Sequence, residues 1–245
     1  MRERPIGAVP LPLIWTLAAA FCAQLAFKGM ETRPVARAAD LPPAPSTVTL
    51  RLLALGEPIG TAQVLSLYLQ AFDTQPGISI PFKDLDYSRV KDWLDRILEL
   101  DPRGQYPLLM ASQVYSQVPD LVRQRMMLEW AFRCFLDDPG RRWRWAAHAA
   151  IMAKHKLNDL PLALHYAQEL GRHATDPSVP AWARQMHIFL LEDMGEVETA
   201  KILLGGLLAS GSVKDEHEVR FLTQRFNALE KAAEKSSTPS ESQSR

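Results

Sequence analysis

Apolar residues follow two different patterns along this chain, and each predicts a different kind of helix. No charged residue occurs between Ile6 and Phe27, and Leu11–Phe27 reads LPLIWTLAAAFCAQLAF, with Gln24 its only strongly polar side chain. A helix through this run, at about 1.5 Å per residue, approaches the ~30 Å hydrocarbon core of a bilayer. From position 58 onward, apolar residues recur at helical spacing between polar ones. The periodicity predicts helices over 58–72, 86–100, 105–117, 120–136, 143–156, 160–173, 180–194, 197–210 and 215–233. Asp86 or Ser88 is placed to cap the second of these.

The segments between and beyond these patterns divide the chain. Positions 1–10 form a short head and 11–28 a transmembrane helix acting as a signal anchor. Positions 29–57 read as a Pro/Ala-rich linker, with Pro34, Pro42, Pro43 and Pro45. The helical domain covers 58–233, and 234–245 has nothing to bury and is predicted to be a disordered tail. The loop 73–83, DTQPGISIPFK, is long for a connection between helices.

An uncleaved anchor is favoured over a cleaved signal peptide. The small-x-small candidate Ala36-Arg37-Ala38 ends eleven residues beyond Phe27, further than such sites normally lie. It is also favoured over a buried soluble helix, because the flanks are charged and Pro-rich. Arg2 and Arg4 precede the run, and Lys28, Arg33 and Arg37 follow it, so the flanking charges nearly balance. A short basic head before a long domain is the usual form of an anchor with its N-terminus inside. The expectation is therefore a bacterial inner-membrane protein with its domain on the periplasmic side.

Self-comparison shows a repeat. Leu98-Glu99-Leu100-Asp101-Pro102, Phe135-Leu136-Asp137-Asp138-Pro139 and His173-Ala174-Thr175-Asp176-Pro177 close helical segments, their prolines 37 and 38 residues apart. Met126, Ala163 and Ala200 are 37 apart, each early in a second helix, and Tyr115, Met152 and Phe189 are 37 apart, each late in a first helix. A proline after each second helix cannot continue it, and the Asp before it is biased out of the α region. Small residues in Ala146-Ala147-His148-Ala149-Ala150 allow close helix crossings. Gly205-Gly206 costs on the order of 1 kcal/mol per residue in mid-helix and so predicts a neighbouring helix there.

Asn158-Asp159-Leu160-Pro161-Leu162-Ala163-Leu164 and Gly195-Glu196-Val197-Glu198-Thr199-Ala200-Lys201 resemble the turn and second-helix start of tetratricopeptide (TPR) repeats. The Asp-Pro endings resemble that family's closing residues. The period is longer than the family's, and the usual Trp and Gly of the first helix are largely missing. The resemblance implies an all-α fold, a TPR-like α-solenoid of helix-turn-helix repeats preceded by one transmembrane helix. It also implies a groove lined by first-helix residues: Gln113, Tyr115, His148, Met152, His155, Gln185 and Phe189.

Charge and chemistry narrow the function. With 28 basic and 28 acidic residues the formal net charge is zero, unlike the basic excess of nucleic-acid binders. Cys22 and Cys134 are too far apart in sequence and context to suggest a disulfide framework or a metal set. His148 and His155 share a helix face but stand about 10 Å apart along its axis, too far for one metal. His165, His173, His187 and His217 add no ligand spacing, and glycine patterns for nucleophile elbows or phosphate loops do not occur. Asp137-Asp138 and Glu192-Asp193 read as solvated helix ends. No catalytic, cofactor or metal residue is therefore predicted, and the chain is expected not to be an enzyme.

The most unusual run is Gly140-Arg141-Arg142-Trp143-Arg144-Trp145. Three arginines near a helix N-terminus oppose the macrodipole. Either they pair with Asp137, Asp138 or acids of a neighbouring repeat, with the tryptophans in the core, or they meet an anionic partner or lipid headgroup. On the second reading Arg141, Arg142, Trp143 and Arg144 join the groove residues as partner contacts. The expected function is a membrane-anchored scaffold or adaptor that binds a protein or peptide. The alternative is a structural subunit of a membrane or envelope assembly, with Trp93, Trp130, Trp143, Trp145 and Trp182 supplying interface anchors. The sequence assigns no oligomeric state.

Overall fold

Helical periodicity dominates the folded chain as it does the sequence. The computed structural model describes residues 10–30, 38–211, 213 and 215–237, and among these it contains twelve α-helices and one two-stranded hairpin. The protein is all-α. The predicted head (apart from Pro10), Arg33, Arg37 and the tail beyond Ser237 lie outside the described residues.

Two units divide the chain: positions 1–39 with 74–79, and positions 40–73 with 80–245. In the first, α1 (Leu11–Met30) is long and apolar enough to cross a membrane over Leu11–Gly29, and none of its apolar window is buried in protein. Its twenty residues rise about 30 Å, the thickness of the hydrocarbon core. The same unit holds β1 (Thr74–Gln75) and β2 (Ile78–Ser79), antiparallel strands joined through Gly77 at φ +78°. The Gln75 amide brackets the main chain of Ala39, accepting from its N–H and donating to its carbonyl, each at 2.9 Å.

The second unit contains the remaining helices: α2 (Thr47–Leu53), α3 (Pro58–Ala71), α4 (Tyr87–Leu100), α5 (Tyr106–Leu109), α6 (Leu121–Asp137) and α7 (Pro139–His155). They are followed by α8 (Leu160–His173), α9 (Ala181–Arg184), α10 (Met186–Asp193), α11 (Val197–Ala209) and α12 (Glu216–Ser237). Aspartates start several of them. Asp86, Asp120 and Asp159 each accept main-chain N–H bonds from the first turn of α4, α6 and α8. Asp159 also pairs with Arg125 of α6 at 2.5 Å, and that guanidinium holds its carboxyl below the usual range.

Packing is largely sequential. In turn α3 packs on α4, α4 on α6, α6 on α7, α7 on α8, α8 on α10, α10 on α11, and α11 on α12. The buried residues form three clusters in chain order, from Leu41 to Cys134, from Leu128 to Leu190, and from Ile188 to Leu229. Alanines 146, 147, 149, 150 and 153 are buried along α7 where α6 and α8 close on it.

The last helix runs to Ser237, four residues into the predicted tail, and four other boundaries change for a local reason. The linker over 29–57 ends early: Ser46 caps α2, and Leu41 and Leu50 are core residues. A seven-residue helix is too short to show periodicity, and Leu41 is held by contacts distant in sequence. Its carbonyl accepts from the Arg89 guanidinium, and the Trp93 indole donates to the carbonyl of the next residue, Pro42, at 2.8 Å. The helix over 105–117 has three windings: α5, a π-helical segment Met110–Val114 and a 3-10 turn Tyr115–Gln117. The helix over 180–194 breaks at Gln185, where φ is −103° and ψ is 1°. Finally, α7 starts at Pro139 rather than Trp143, with Asp138 the one residue between α6 and α7. Proline suits the first turn of a helix because its missing N–H would have had no partner there.

The glycine pair in α11 does meet a neighbour, but only at one position. A Cβ on Gly205 would lie 3.1 Å from the Phe226 ring of α12, whereas one on Gly206 meets nothing within 4 Å. Gly206→Ala is therefore expected to stabilise the protein by about 1 kcal/mol through helix propensity. That corresponds to a rise in Tm of roughly 2–4 °C for a domain of this size. Thermal melts followed by circular dichroism check this, with Gly205→Ala as the comparison that should gain less.

Candidate functional site

The arginine–tryptophan run separates into an inward and an outward side once it is wound into the first turns of α7. Arg141 is exposed and pairs with Asp138 at 2.5 Å. Arg144 is exposed, its guanidinium 5.1 Å from the centroid of the Trp143 ring. Arg142 points inward and is only 4 % exposed. Its two terminal nitrogens donate to the carbonyls of Cys134 and Pro102, both at 2.7 Å. Trp143 is buried, and Trp145 is half-buried with its indole donating to Gln105 at 2.6 Å. Burial removes Arg142 and Trp143 from the partner-contacting set and leaves Arg141 and Arg144 at the surface. Trp93 and Trp130 are also core, so among the predicted interface tryptophans only Trp182 is broadly exposed.

The predicted groove residues do not form one continuous surface. Tyr115 is fully buried, its hydroxyl donating to the Leu69 carbonyl at 3.2 Å. The changed winding of Met110–Gln117, wider over the π-helical segment and tighter over the 3-10 turn, leaves it in the core, so it is not a groove residue. Met152 is buried against α8, His148 is half-buried with Nε2 2.9 Å from the Ser112 carbonyl, and Gln113 and His155 are exposed. Gln185 and Phe189 are brought together, with residues the sequence had not grouped with them.

That place is a cleft of about 470 Å³ between α9–α10 and the start of α12. Trp182, Phe189 and Phe221 supply its aromatic walls, and Asp215 and Glu218 line it with carboxylates. Trp182 is 49 % exposed and rests edge-on against Trp143 at 5.7 Å. The Phe189 and Phe221 rings are 6.1 Å apart. Asp215 caps α12, accepting from the N–H groups of His217 and Glu218 at 2.8 and 2.9 Å, and these bonds keep its carboxyl ionised below the usual range. At the break between α9 and α10, Gln185 is 7 % exposed, and its Oε1 is buried without a hydrogen-bond partner. A buried carbonyl lacking a donor is costly, on the order of 1–3 kcal/mol.

Close packing of small residues positions these groups. The Gly171 site on α8 lies so near α9 that a Cβ there would be 2.6 Å from the Arg184 carbonyl oxygen. Only glycine lets the short helix bearing Trp182 approach α8 this closely. His187, on the other side of the break, is lowered from its ordinary pKa by burial, partly offset by the Arg184 carbonyl.

No family model, curated protein or solved structure matches this chain. The site therefore rests on its own geometry. Two larger clefts are weaker candidates because neither offers an exposed aromatic wall, and several of their polar groups serve the fold. In the one of about 640 Å³, Asp86 and Asp120 cap α4 and α6, and Asp120 also binds Arg123 at 2.7 Å. In the one of about 620 Å³, Arg96 binds Glu99 at 2.6 Å, Arg141 binds Asp138, and Asp95 accepts the Trp130 indole. Cys134 lines that second cleft, and burial pushes its thiol up to about 12, so it stays protonated. Among the described residues no group of three His, Cys, Asp or Glu side chains converges to hold a metal.

The sequence carried signals for Trp182 and Asp215. Trp182 follows Pro180 at a helix start, and Asp215 precedes a helix in capping position. Neither signal shows that the two residues meet, because a gap of 33 residues separates them. Phe221 and Glu218 read from sequence as ordinary positions of a terminal helix.

Proposed function

We propose that this protein is a membrane-tethered, non-catalytic helical-repeat adaptor that binds a segment of another protein in the Trp182–Gln185–Phe189–Phe221 cleft. The observation that carries this reading is the cleft's aromatic wall, with Trp182 and Phe221 exposed on either side of Phe189 and two carboxylates beside them. Aromatic pockets with a few convergent polar groups are the usual anchors of peptide recognition. Asp215 and Glu218 line the cleft and favour a cationic side chain on the bound segment. The sequential packing and three successive cores support a TPR-like stack as the frame for this cleft. We further propose that α1 is a signal anchor in a bacterial inner membrane, with the domain on the periplasmic side.

Photo-crosslinking in intact membranes tests the cleft. A benzophenone amino acid at Trp182 in the full chain is expected to give a discrete protein adduct, and one at the exposed Ile202 of α11 is not. Phe221→Ala is expected to weaken the partner's apparent affinity by roughly tenfold or more, the usual effect of removing an aromatic anchor. Equal adduct patterns from positions 182 and 202, or an adduct indifferent to Phe221→Ala, would rule the cleft out.

A further inference from the structure

Helices usually hide one apolar stripe and show a polar one, but α3 breaks this rule. Its inner stripe packs Ala62, Ser66 and Leu69 into the core. Its outer face is rich in apolar side chains as well: Ile59, Val64 and Leu67 are all exposed, beside the uncharged Gln63 and Gln70, and no charged residue occurs anywhere from Pro58 to Ala71. A helix whose exposed face carries large apolar side chains and no charge suits a covered surface or the membrane interface. The preceding helix continues the pattern, with Leu52, Leu53 and Leu55 exposed. Leu55 is 92 % exposed and sits at φ +49°, a left-handed conformation that a leucine rarely adopts. The left-handed turn ends α2 at its C-terminus and leaves the leucine side chain in the open.

We infer that the outer face of α2–α3 is a monotopic membrane contact, its apolar side chains lying in the headgroup–acyl boundary. Three observations favour lipid over a protein partner. The two helices together are apolar enough for a membrane span, yet their axes meet at 112°, which prevents one straight crossing and suits a shallow wedge. Covalent continuity is the second. Positions 31–46 alone separate α2 from α1, so α2 starts within about 55 Å of the end of the membrane-spanning candidate whatever path the chain takes. Third, the only formal charges from Thr47 to Ala71 are Arg51 and Glu57, which cancel. With no net charge to attract anionic headgroups, the face offers lipid only apolar burial, so zwitterionic lipid suffices.

Spin-label accessibility on the full chain in phosphatidylcholine vesicles tests this independently of the cleft. Single cysteines replace Leu55, Leu67, Leu17 and Ile202 in turn, in a background lacking Cys22 and Cys134. Leu17 reports insertion of α1, and Ile202 reports water. Labels at 55 and 67 are expected to collide readily with oxygen and roughly tenfold less than the label at 202 with a water-soluble nickel chelate, since polar solutes are excluded from hydrocarbon. Nickel accessibility equal to that at 202 overturns the inference. Shielding from both reagents also overturns it, because a protein partner or a second copy of this chain then covers the face. A label at 17 that fails to enter lipid identifies a failure of the anchor rather than of the α2–α3 contact.

Discussion

Trp130→Ala is expected to lower the stability of the helical domain by about 4 kcal/mol, within the usual range for deleting a buried tryptophan. Trp130 is 1 % exposed at the centre of the first core, among Trp93, Leu94, Ile97 and Met127. Its indole N–H also donates to Asp95 Oδ1 at 2.6 Å, tying α6 to α4. The two contributions are separable. Trp130→Phe keeps most of the apolar volume and loses the bond to a carboxylate, which is worth about 1.5–3 kcal/mol at most when buried. Because Asp95 is half-buried and water reaches it, the phenylalanine variant should lie at the low end of that range. In thermal melts the alanine variant should fall by roughly 8–16 °C and the phenylalanine variant by a few degrees. A loss below 1 kcal/mol for alanine would mean that α4 and α6 do not share this core.

Arg142→Ala is the second large effect, and it decides between a structural and a partner-binding arginine. The guanidinium fork bridges two main-chain oxygens that end separate segments, Cys134 near the end of α6 and Pro102 in the turn after α4. Removing it leaves both carbonyls without that donor and opens a void under α7, a loss of about 3 kcal/mol. Arg142→Lys keeps the charge but not the fork, so it should recover only part of the loss. Arg141→Ala removes an exposed pair with Asp138 and should change stability by less than about 1 kcal/mol. If Arg142 instead served a partner, its alanine variant would melt with the wild type while losing the adduct at Trp182. Denaturant melts of the three variants, set beside the crosslinking yield, separate the two outcomes.

The burial of Arg142 explains why the arginine–tryptophan run supported two readings in sequence. Placing the helix start at Trp143 left Arg141 and Arg142 in a turn, free to face solvent. Winding the helix from Pro139 gives each residue a fixed 100° step, which sends Arg142 and Trp143 inward and Arg141 and Arg144 outward. A shift of four residues in one boundary therefore reassigned half of the candidate cluster. Tyr115 went the same way, because the π and 3-10 windings between Met110 and Gln117 rotate it out of the register that a uniform α-helix would give.

What the sequence determined by itself is local in origin. The α1 helix follows from a charge-free run of sufficient length, and α4, α6 and α8 follow from apolar spacing behind capping aspartates. These depend on residues within a few turns of one another, so one-dimensional periodicity records them. The tertiary structure alone decided whatever depends on contacts between distant segments. Leu41 and α2 belong to the core because α4 holds them there, and Trp182 and Phe221 form one cleft because Gly171 lets α9 close on α8 and Asp215 starts α12 opposite. The outer face of α3 is likewise exposed only because its neighbours pack on the other side. Sequence spacing encodes which side of a helix is apolar, but when both sides are, only packing decides which one remains uncovered.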